Sequence, residues 1–221
     1  GYITHQEVKN GGVTKDITVN GFGANQFIHD GGTAIGTSVT NGAGLAVSSG
    51  GTLISANINK GKSWAYAATT IYSGGVASNT IVDNGYFNVA GGTSYNSIIC
   101  NNGQENIREG GIAIGDTVSN NGEQTISNGT AKGTILQSGG KQNLINSNGL
   151  AEDTVISNGG VQNISGGGQA IGNTVSAGGT QNVNKGGFAV SNTIAAGGNQ
   201  NVLNGGTTSQ TTVQSGASQN I

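Results

Sequence analysis

The sequence predicts an all-β fold, a right-handed parallel β-helix in which about eleven coils of about nineteen residues stack into one solenoid. Three observations support this fold class. A repeat runs from end to end of the chain, two columns of Val and Ile follow the repeat, and glycine pairs fall in step behind them. Units of this length cannot bury an apolar face alone, so they must stack on one another. Function is therefore expected on the outer surface of a rod.

Two columns of mostly branched aliphatic residues repeat once per coil. The first column is Val8, Ile28, Val47, Ile71, Val89, Ile107, Ile126, Leu144, Ile164, Val183, Val202 and Ile221. The second column is Val19, Val39, Ile58, Val82, Ile99, Val118, Leu136, Ile156, Val175, Ile194 and Val213. Because β-branched side chains suit a pleated strand better than a helix, both columns predict strands that point into one core. Identical columns in fixed register require parallel strands, whose connections are right-handed by default.

Glycine pairs mark the turns between these strands. The chain has 43 Gly and no Pro, and pairs such as Gly167-Gly168 and Gly178-Gly179 follow the apolar columns. Glycine adopts positive φ at no steric cost and lets neighbouring backbones approach closely. Each unit is therefore predicted to contain two strands and two turns, with small residues such as Ala170 and Ala189 after the first turn.

One interval departs from the period. Between Gly50-Gly51 and Gly74-Gly75 the spacing stretches to twenty-four residues, and residues 60–66 are predicted to leave the rod as a loop. This loop carries Trp64 and Tyr66, which are candidate contact residues; the alternative is that they pack over a neighbouring coil. The remainder of residues 1–221 is predicted to form a single β-helical domain.

Charge and cysteine content argue against several classes of ligand. Eight Lys and Arg against ten Asp and Glu give a net charge of -2 with no basic run, which argues against nucleic acid. No stretch is long and apolar enough to span a membrane as a helix, and no signal peptide opens the chain. Cys100 stands alone, so it is predicted to be a small buried or half-buried residue without a disulfide or a metal. No metal and no cofactor are predicted.

Acidic residues provide no obvious active site. A β-helical lyase or hydrolase needs clustered carboxylates, and the acids here are scattered along the chain. Glu105 and Glu123, at neighbouring turn positions one coil apart, form only a weak grouping and are interpreted as solvated surface groups. Asp116 differs because it lies two residues before an inward apolar position and so on the same face. Its column, predicted to form a hydrogen-bonded polar ladder inside the rod or at a corner, is Thr80, Ser97, Asp116, Thr134, Thr154, Asn173, Asn192 and Thr211. No catalytic residue is predicted.

Hydroxyl residues recur just after an inward apolar residue and before the turn glycines. They are Ser48, Ser49, Ser73, Ser119, Ser127, Ser138, Ser157, Ser165, Ser176 and Ser215. An exposed corner would let an enzyme attach a sugar to these side chains. The alternative is that serine is used there as a turn residue whose hydroxyl satisfies local backbone groups.

Three stretches, residues 31–39, 151–162 and 170–181, resemble the repeats of self-associating autotransporter adhesins, the AIDA, TibA and antigen 43 group. The resemblance implies an extracellular passenger segment on the outer membrane of a Gram-negative bacterium, exported through a translocator barrel. It further implies self-aggregation, biofilm formation or host-cell attachment as a virulence trait, and O-linked heptose added by a dedicated glycosyltransferase. By the same resemblance, the leader and the C-terminal barrel of a whole member are expected to lie outside this sequence.

Three functions from different classes remain open at this point. The first is an adhesin segment glycosylated on loop serines, whose partners are other copies of the rod, a host-cell surface or glycan, and a protein O-heptosyltransferase. The second is an inert stalk, which has the same sequence expectations. The third is a carbohydrate-active β-helix enzyme, which the scattered acids disfavour and which a cleft with paired acids would favour.

Overall fold

The computed structural model describes residues 2–146, 148–157 and 159–221. Throughout these ranges the regular elements are β-strands, and each pairing between them is parallel. The strands form three sheets of twelve, twelve and eleven strands, and each coil contributes one strand to each sheet in turn. The predicted parallel β-helix is confirmed. No helix in the described residues is long and apolar enough to cross a membrane.

The strand bounds are as follows. The first sheet contains Tyr2–Ile3, Thr18–Asn20, Ser38–Thr40, Asn57–Asn59, Ile81–Asp83, Ile98–Cys100, Thr117–Val118, Ile135–Leu136, Val155–Ile156, Thr174–Val175, Thr193–Ile194 and Thr212–Val213. The second sheet contains His5–Val8, Asn25–Ile28, Gly44–Val47, Ala68–Tyr72, Tyr86–Ala90, Gln104–Arg108, Glu123–Ser127, Lys141–Leu144, Val161–Ile164, Thr180–Val183, Asn199–Val202 and Ser218–Asn220. The third sheet contains Val13–Lys15, Thr33–Ile35, Thr52–Ile54, Val76–Ser78, Thr93–Tyr95, Ile112–Ile114, Gly129–Lys132, Gly149–Glu152, Gln169–Ile171, Phe188–Val190 and Thr207–Ser209.

The two aliphatic columns face the interior as predicted. The first column lines the second sheet and the second column lines the first sheet, in strict register from coil to coil. Ile164, Val175 and Ile194 are fully buried. Val213 and Ile221, the last members of the two columns, are exposed because the last coil is covered on one side only. Main-chain hydrogen bonds such as Ser176 N to Ile156 O, at 2.8 Å, join successive coils, so each coil stabilises the next.

The coil contains three strands, where the sequence pattern predicted two. The additional strand forms the third sheet, and its inward residue is usually alanine, as at Ala151, Ala170 and Ala189. The bend from the third sheet to the first is often made without glycine, by residues with φ near +50°, such as Asp153 and Ser191. Because no glycine pair marks that bend, the sequence gives little sign that one strand ends and another begins.

The two glycines of a turn pair have different structural causes. Gly178 has a φ of +75°, in the left-handed region that glycine enters freely. Gly179 has an ordinary φ, but a Cβ atom placed there would lie 2.2 Å from the carbonyl oxygen of Ile156 in the preceding coil. The positive φ therefore requires the first glycine, and the close stacking of coils requires the second.

Candidate functional site

The corner serines are reachable from solvent. Of the ten predicted acceptors none is buried: Ser49, Ser73, Ser138 and Ser215 are exposed and the others are half-buried. Ser119, Ser157 and Ser176 each begin a tight turn, in which the carbonyl oxygen of the serine accepts a hydrogen bond from the glycine three residues later. The main chain therefore makes these turns with backbone groups alone.

Within the part of the chain that the structure describes, two of the ten serine hydroxyls form hydrogen bonds with other protein groups. Ser165 Oγ donates to the carbonyl oxygen of Leu144 at 3.4 Å, and Ser127 Oγ accepts from Asn146 Nδ2 at 2.6 Å. The turn-residue alternative is therefore favoured at Ser165. Thr134, on the inward column, is buried and its Oγ1 lies 3.3 Å from Gln124 Oε1. Corner and inward hydroxyls thus differ sharply in accessibility.

A buried ladder of glutamine side chains, which the sequence analysis missed, lines the second sheet. Gln142 Nε2 donates to Gln124 Oε1 at 2.6 Å, and Gln162 Nε2 donates to Gln142 Oε1 at 2.6 Å. The chain continues through Gln181, Gln200 and Gln219 at 2.6 to 2.7 Å. The signal was present in the sequence, because each glutamine stands two residues before an inward aliphatic residue and so on its face. Every amide donates toward the preceding coil, which gives the ladder a direction.

The polar column predicted from Asp116 lies inside the rod, as expected. Asn173 Oδ1 accepts the Thr154 N–H at 2.8 Å, and Asn192 Oδ1 accepts the Asn173 N–H at 2.8 Å. The Nδ2 of Asn173 donates to Gln162 Oε1 at 3.2 Å. From Asp116 to Asn192 this column is therefore cross-linked to the glutamine ladder. In the described residues the buried hydroxyls of Thr80 and Ser97 have no hydrogen-bond partner.

Glu105 is fully buried, and its interpretation as a solvated surface acid is wrong. The strand register places Glu105 beside Gln124, whereas Glu123 lies beside Gln104 and faces outward. A shift of one residue along a strand moves a side chain to the opposite face, so the grouping of Glu105 with Glu123 is wrong as well. In the preceding coil Glu105 faces Phe87, which offers no acceptor. A glutamine at position 105 would direct its amide N–H toward the Phe87 ring, where it would find no oxygen to accept a hydrogen bond.

Glu105 and Asp116 form a buried carboxyl pair. Gln124 Nε2 lies 2.7 Å from Glu105 Oε2 and 3.2 Å from Asp116 Oδ2. The Ser97 N–H donates to Asp116 Oδ1 at 2.8 Å, and Ser94 Oγ lies 3.3 Å from Glu105 Oε1. Burial raises the pKa of both carboxyls. The pKa of Asp116 is raised further by the nearby Glu105 charge. Burial and the proximity of the two carboxyls therefore favour the protonated form of the pair.

This acid pair lies in a sealed core. No cavity opens onto it in the described part of the rod. Nor do three or more His, Cys, Asp or Glu side chains cluster at metal-binding distance within those residues. Cys100 is half-buried, as predicted, and burial raises the pKa of its thiol. Paired acids are present, but the solvent-filled cleft that glycoside cleavage needs is not found around them.

The long link between strands Asn57–Asn59 and Ala68–Tyr72 carries the predicted aromatic residues. Trp64 is 83% exposed and stacks against Phe22, with ring centroids 6.1 Å apart. Tyr66 instead packs on Tyr86 of the next coil at 4.7 Å, and Lys60 Nζ lies 4.4 Å from the Tyr66 ring centroid. Phe22 was not singled out from the sequence, although the glycines on both sides of it place it in a turn. Trp64 is thus exposed on the loop, whereas Tyr66 packs over a neighbouring coil.

Comparison with known proteins defines the class. Residues 121–179 match a family model described as "Adhesin of bacterial autotransporter system, probable stalk". A crystal structure of a TibC-catalysed, hyper-glycosylated TibA fragment is similar with a TM-score of 0.82 and 30% identity, over 98% of this chain and 84% of that one. The search of curated proteins found no match. Fold and repeats together define a β-solenoid stalk of the autotransporter type. The chain belongs to the family of AIDA-type autotransporter adhesins.

Proposed function

We propose that this chain is the extracellular, non-enzymatic segment of an adhesin that mediates bacterial self-association, biofilm formation or host-cell attachment. It would lie at the outer membrane surface of a Gram-negative bacterium after export through a translocator barrel. Autotransporter adhesin stalks are structural parts of surface-exposed proteins, which supports this location. The outer faces mix polar side chains with exposed apolar ones such as Ile98, Ile135 and Val155, so contacts would be weak individually and would add along parallel rods.

The same proposal includes O-heptosylation of the corner serines. A single observation carries it: ten serines recur at the coil corners, none is buried, and the similar TibA fragment is hyper-glycosylated. A glycosyltransferase needs an accessible hydroxyl on a backbone that it can approach. At Ser119, Ser157 and Ser176 a backbone hydrogen bond from the glycine three residues later closes the turn, so the turn does not require the serine hydroxyl.

Co-expression with a protein O-heptosyltransferase of this family tests the modification. Intact mass should rise in steps of one heptose, and peptide mapping should locate the sugar on Ser119, Ser157 and Ser176. Thr134 is the matched internal control and should stay unmodified, since it is buried. An unchanged mass, or sugar found mainly on the inward column, would remove the glycosylation part and leave a plain adhesin or stalk.

Surface display on a non-aggregating bacterium tests the adhesive part. Cells that display the rod should settle faster than cells that display a translocator alone, and settling should slow progressively as coils are removed from the displayed segment. Equal settling rates with and without the rod would favour the inert stalk. An enzymatic function has no support from an open cleft, so no polysaccharide should be cleaved on incubation with the purified chain.

A further inference from the structure

Phe22 and Trp64 form an exposed aromatic platform on one corner of the rod. Their side chains are 80% and 83% exposed, and the rings stack with 28° between their planes. Large apolar side chains in contact on a soluble surface mark interaction sites more often than isolated ones do. The exposed pair therefore needs a function of its own, since it contributes little to the core.

The chain brings these rings together from separate coils. Phe22 lies in the corner formed by residues 21–24, and Trp64 lies two coils later in the link formed by residues 60–67. Between them is Gly42, where a Cβ atom would lie 2.8 Å from Ala65 Cβ and 3.6 Å from Phe22 Cδ2. The absent side chain at Gly42 lets the link fold back across this corner and reach Phe22.

Hydrogen bonds hold the link in place. Asn41 Oδ1 accepts from the backbone N–H groups of Lys62 and Ser63 at 2.9 and 3.1 Å. Asn41 Nδ2 in turn donates to Asn20 Oδ1 at 2.6 Å. A site that is ordered before binding loses less conformational entropy when a ligand arrives. The platform is therefore built as a preorganised surface.

We infer that the Phe22–Trp64 platform binds the pyranose ring of a glycan. An aromatic face carries negative charge density, which attracts the partially positive C–H groups on one face of a sugar. The hydroxyls at the edge of that sugar need polar partners, and the chain supplies Asn20, Lys62 and Ser63 within two residues of the rings. This inference rests on the attachment function proposed above and names the ligand of that function.

Other occupants fit the platform less well. Single-stranded nucleic acid also stacks on aromatic rings, but it needs a basic groove for its phosphates, and this chain has a net charge of -2. A second copy of the rod would make contacts along many coils, as proposed above, and would not need a platform confined to one corner. A single sugar ring needs only an exposed aromatic face, which Phe22 and Trp64 both offer.

Trp64 is the only tryptophan, so its fluorescence reports this site alone. The purified chain is titrated with neutral, uronic and sialylated oligosaccharides, and in parallel with a thymidine oligonucleotide and anionic phospholipid vesicles. We expect a saturable change in emission with at least one oligosaccharide. Phe22→Ala should weaken that binding about tenfold or more, since it removes half of the platform. Phe188→Ala, on the exposed face of the third sheet, is the matched control and should bind as the parent does.

The inference is overturned if the oligosaccharides leave the emission unchanged, if Phe22→Ala binds as the parent does, or if only the oligonucleotide or the vesicles respond. Settling of displaying cells, measured on the same variants, separates this inference from the adhesive function. A platform variant that loses sugar binding while cells still aggregate supports the glycan site. Parent cells that do not settle, with sugar binding intact, count against self-association and leave the glycan site standing.

Discussion

Asp116 lies beside Glu105 in the core of its coil. Three coils later the equivalent positions are held by Asn173 and Gln162. In the later coil an amide hydrogen joins the two side chains, from Asn173 Nδ2 to Gln162 Oε1 at 3.2 Å. In the earlier coil both partners are carboxyls, so only a carboxyl proton could take the place of that amide hydrogen. The groups around the pair, Ser94, Ser97 and Gln124, carry no charge that could stabilise two carboxylates.

The first prediction concerns the pH dependence of stability. The pKa of Asp116 is raised in the folded state. Its protonated form therefore contributes stability that is fully present below the pKa of an aspartate in the unfolded chain, about 4. This contribution is lost as the pH rises through the folded pKa. The melting temperature of the parent should therefore fall as the pH is raised from acidic to alkaline values.

Asp116→Asn is the variant that tests this prediction. Its amide can donate to Glu105 as Asn173 donates to Gln162, and an amide does not ionise in this pH range. At alkaline pH it should be more stable than the parent by about 1–3 kcal/mol, with the difference shrinking toward acidic pH. Thermal unfolding followed by circular dichroism across the pH range measures both curves. Parallel curves for the two proteins would contradict a shared proton.

A second prediction concerns the glutamine ladder. Gln162→Glu removes the amide that donates to Gln142 Oε1 and buries a carboxyl, so unfolding free energy should fall by about 2–4 kcal/mol at neutral pH. Asn163→Asp is the control on the outward face of the same strand. Its amide also donates to the preceding coil, to Asn143 Oδ1 at 2.9 Å, but solvent can reach the new charge, so the change should cost about 1 kcal/mol or less. Chemical denaturation measures the two changes. Equal effects would show that burial of the glutamine ladder adds nothing to the cost of losing a donor.

A third prediction separates the two causes of paired glycines. Gly179→Ala places a Cβ against the Ile156 carbonyl and should destabilise the rod by about 2 kcal/mol or more, because the coils would have to separate locally. Gly178→Asn should cost much less, since asparagine tolerates positive φ and Asn121 adopts +62° before Gly122. Melting temperatures of the two variants provide the comparison. The reverse order would mean that turn conformation, and not coil spacing, requires the second glycine.

The fourth prediction concerns the link formed by residues 60–67. Trp64 is mostly exposed, so Trp64→Ala should change the unfolding free energy by about 0.5 kcal/mol or less. Removal of residues 61–66 should likewise leave the melting temperature close to that of the parent. Ile71→Ala, in the strand that follows the link, is the control for a core residue and should cost about 2–5 kcal/mol. Cooperative unfolding at a much lower temperature after the deletion would show that the link supports the coils.

The sequence by itself determined the fold class and most of the core. Val175 and Ile164 could be assigned to the interior because a repeat with period-two alternation within each strand leaves only one face for its apolar members. The inward position of Asp116 followed from the same spacing. The family resemblance rested on repeat units, which are local in sequence and therefore visible without coordinates.

Only the tertiary structure decided which polar residues meet. Glu105 and Asp116 belong to different walls of one coil, and the bend that brings them together has no glycine pair to mark it. Phe22 and Trp64 are separated by two coils, and their contact depends on a link that folds back over Gly42. Repetition specifies how residues align along the rod, because backbone hydrogen bonds impose that register. Contacts across the rod and over its corners depend instead on bend angles and side-chain reach, which the repeat does not encode.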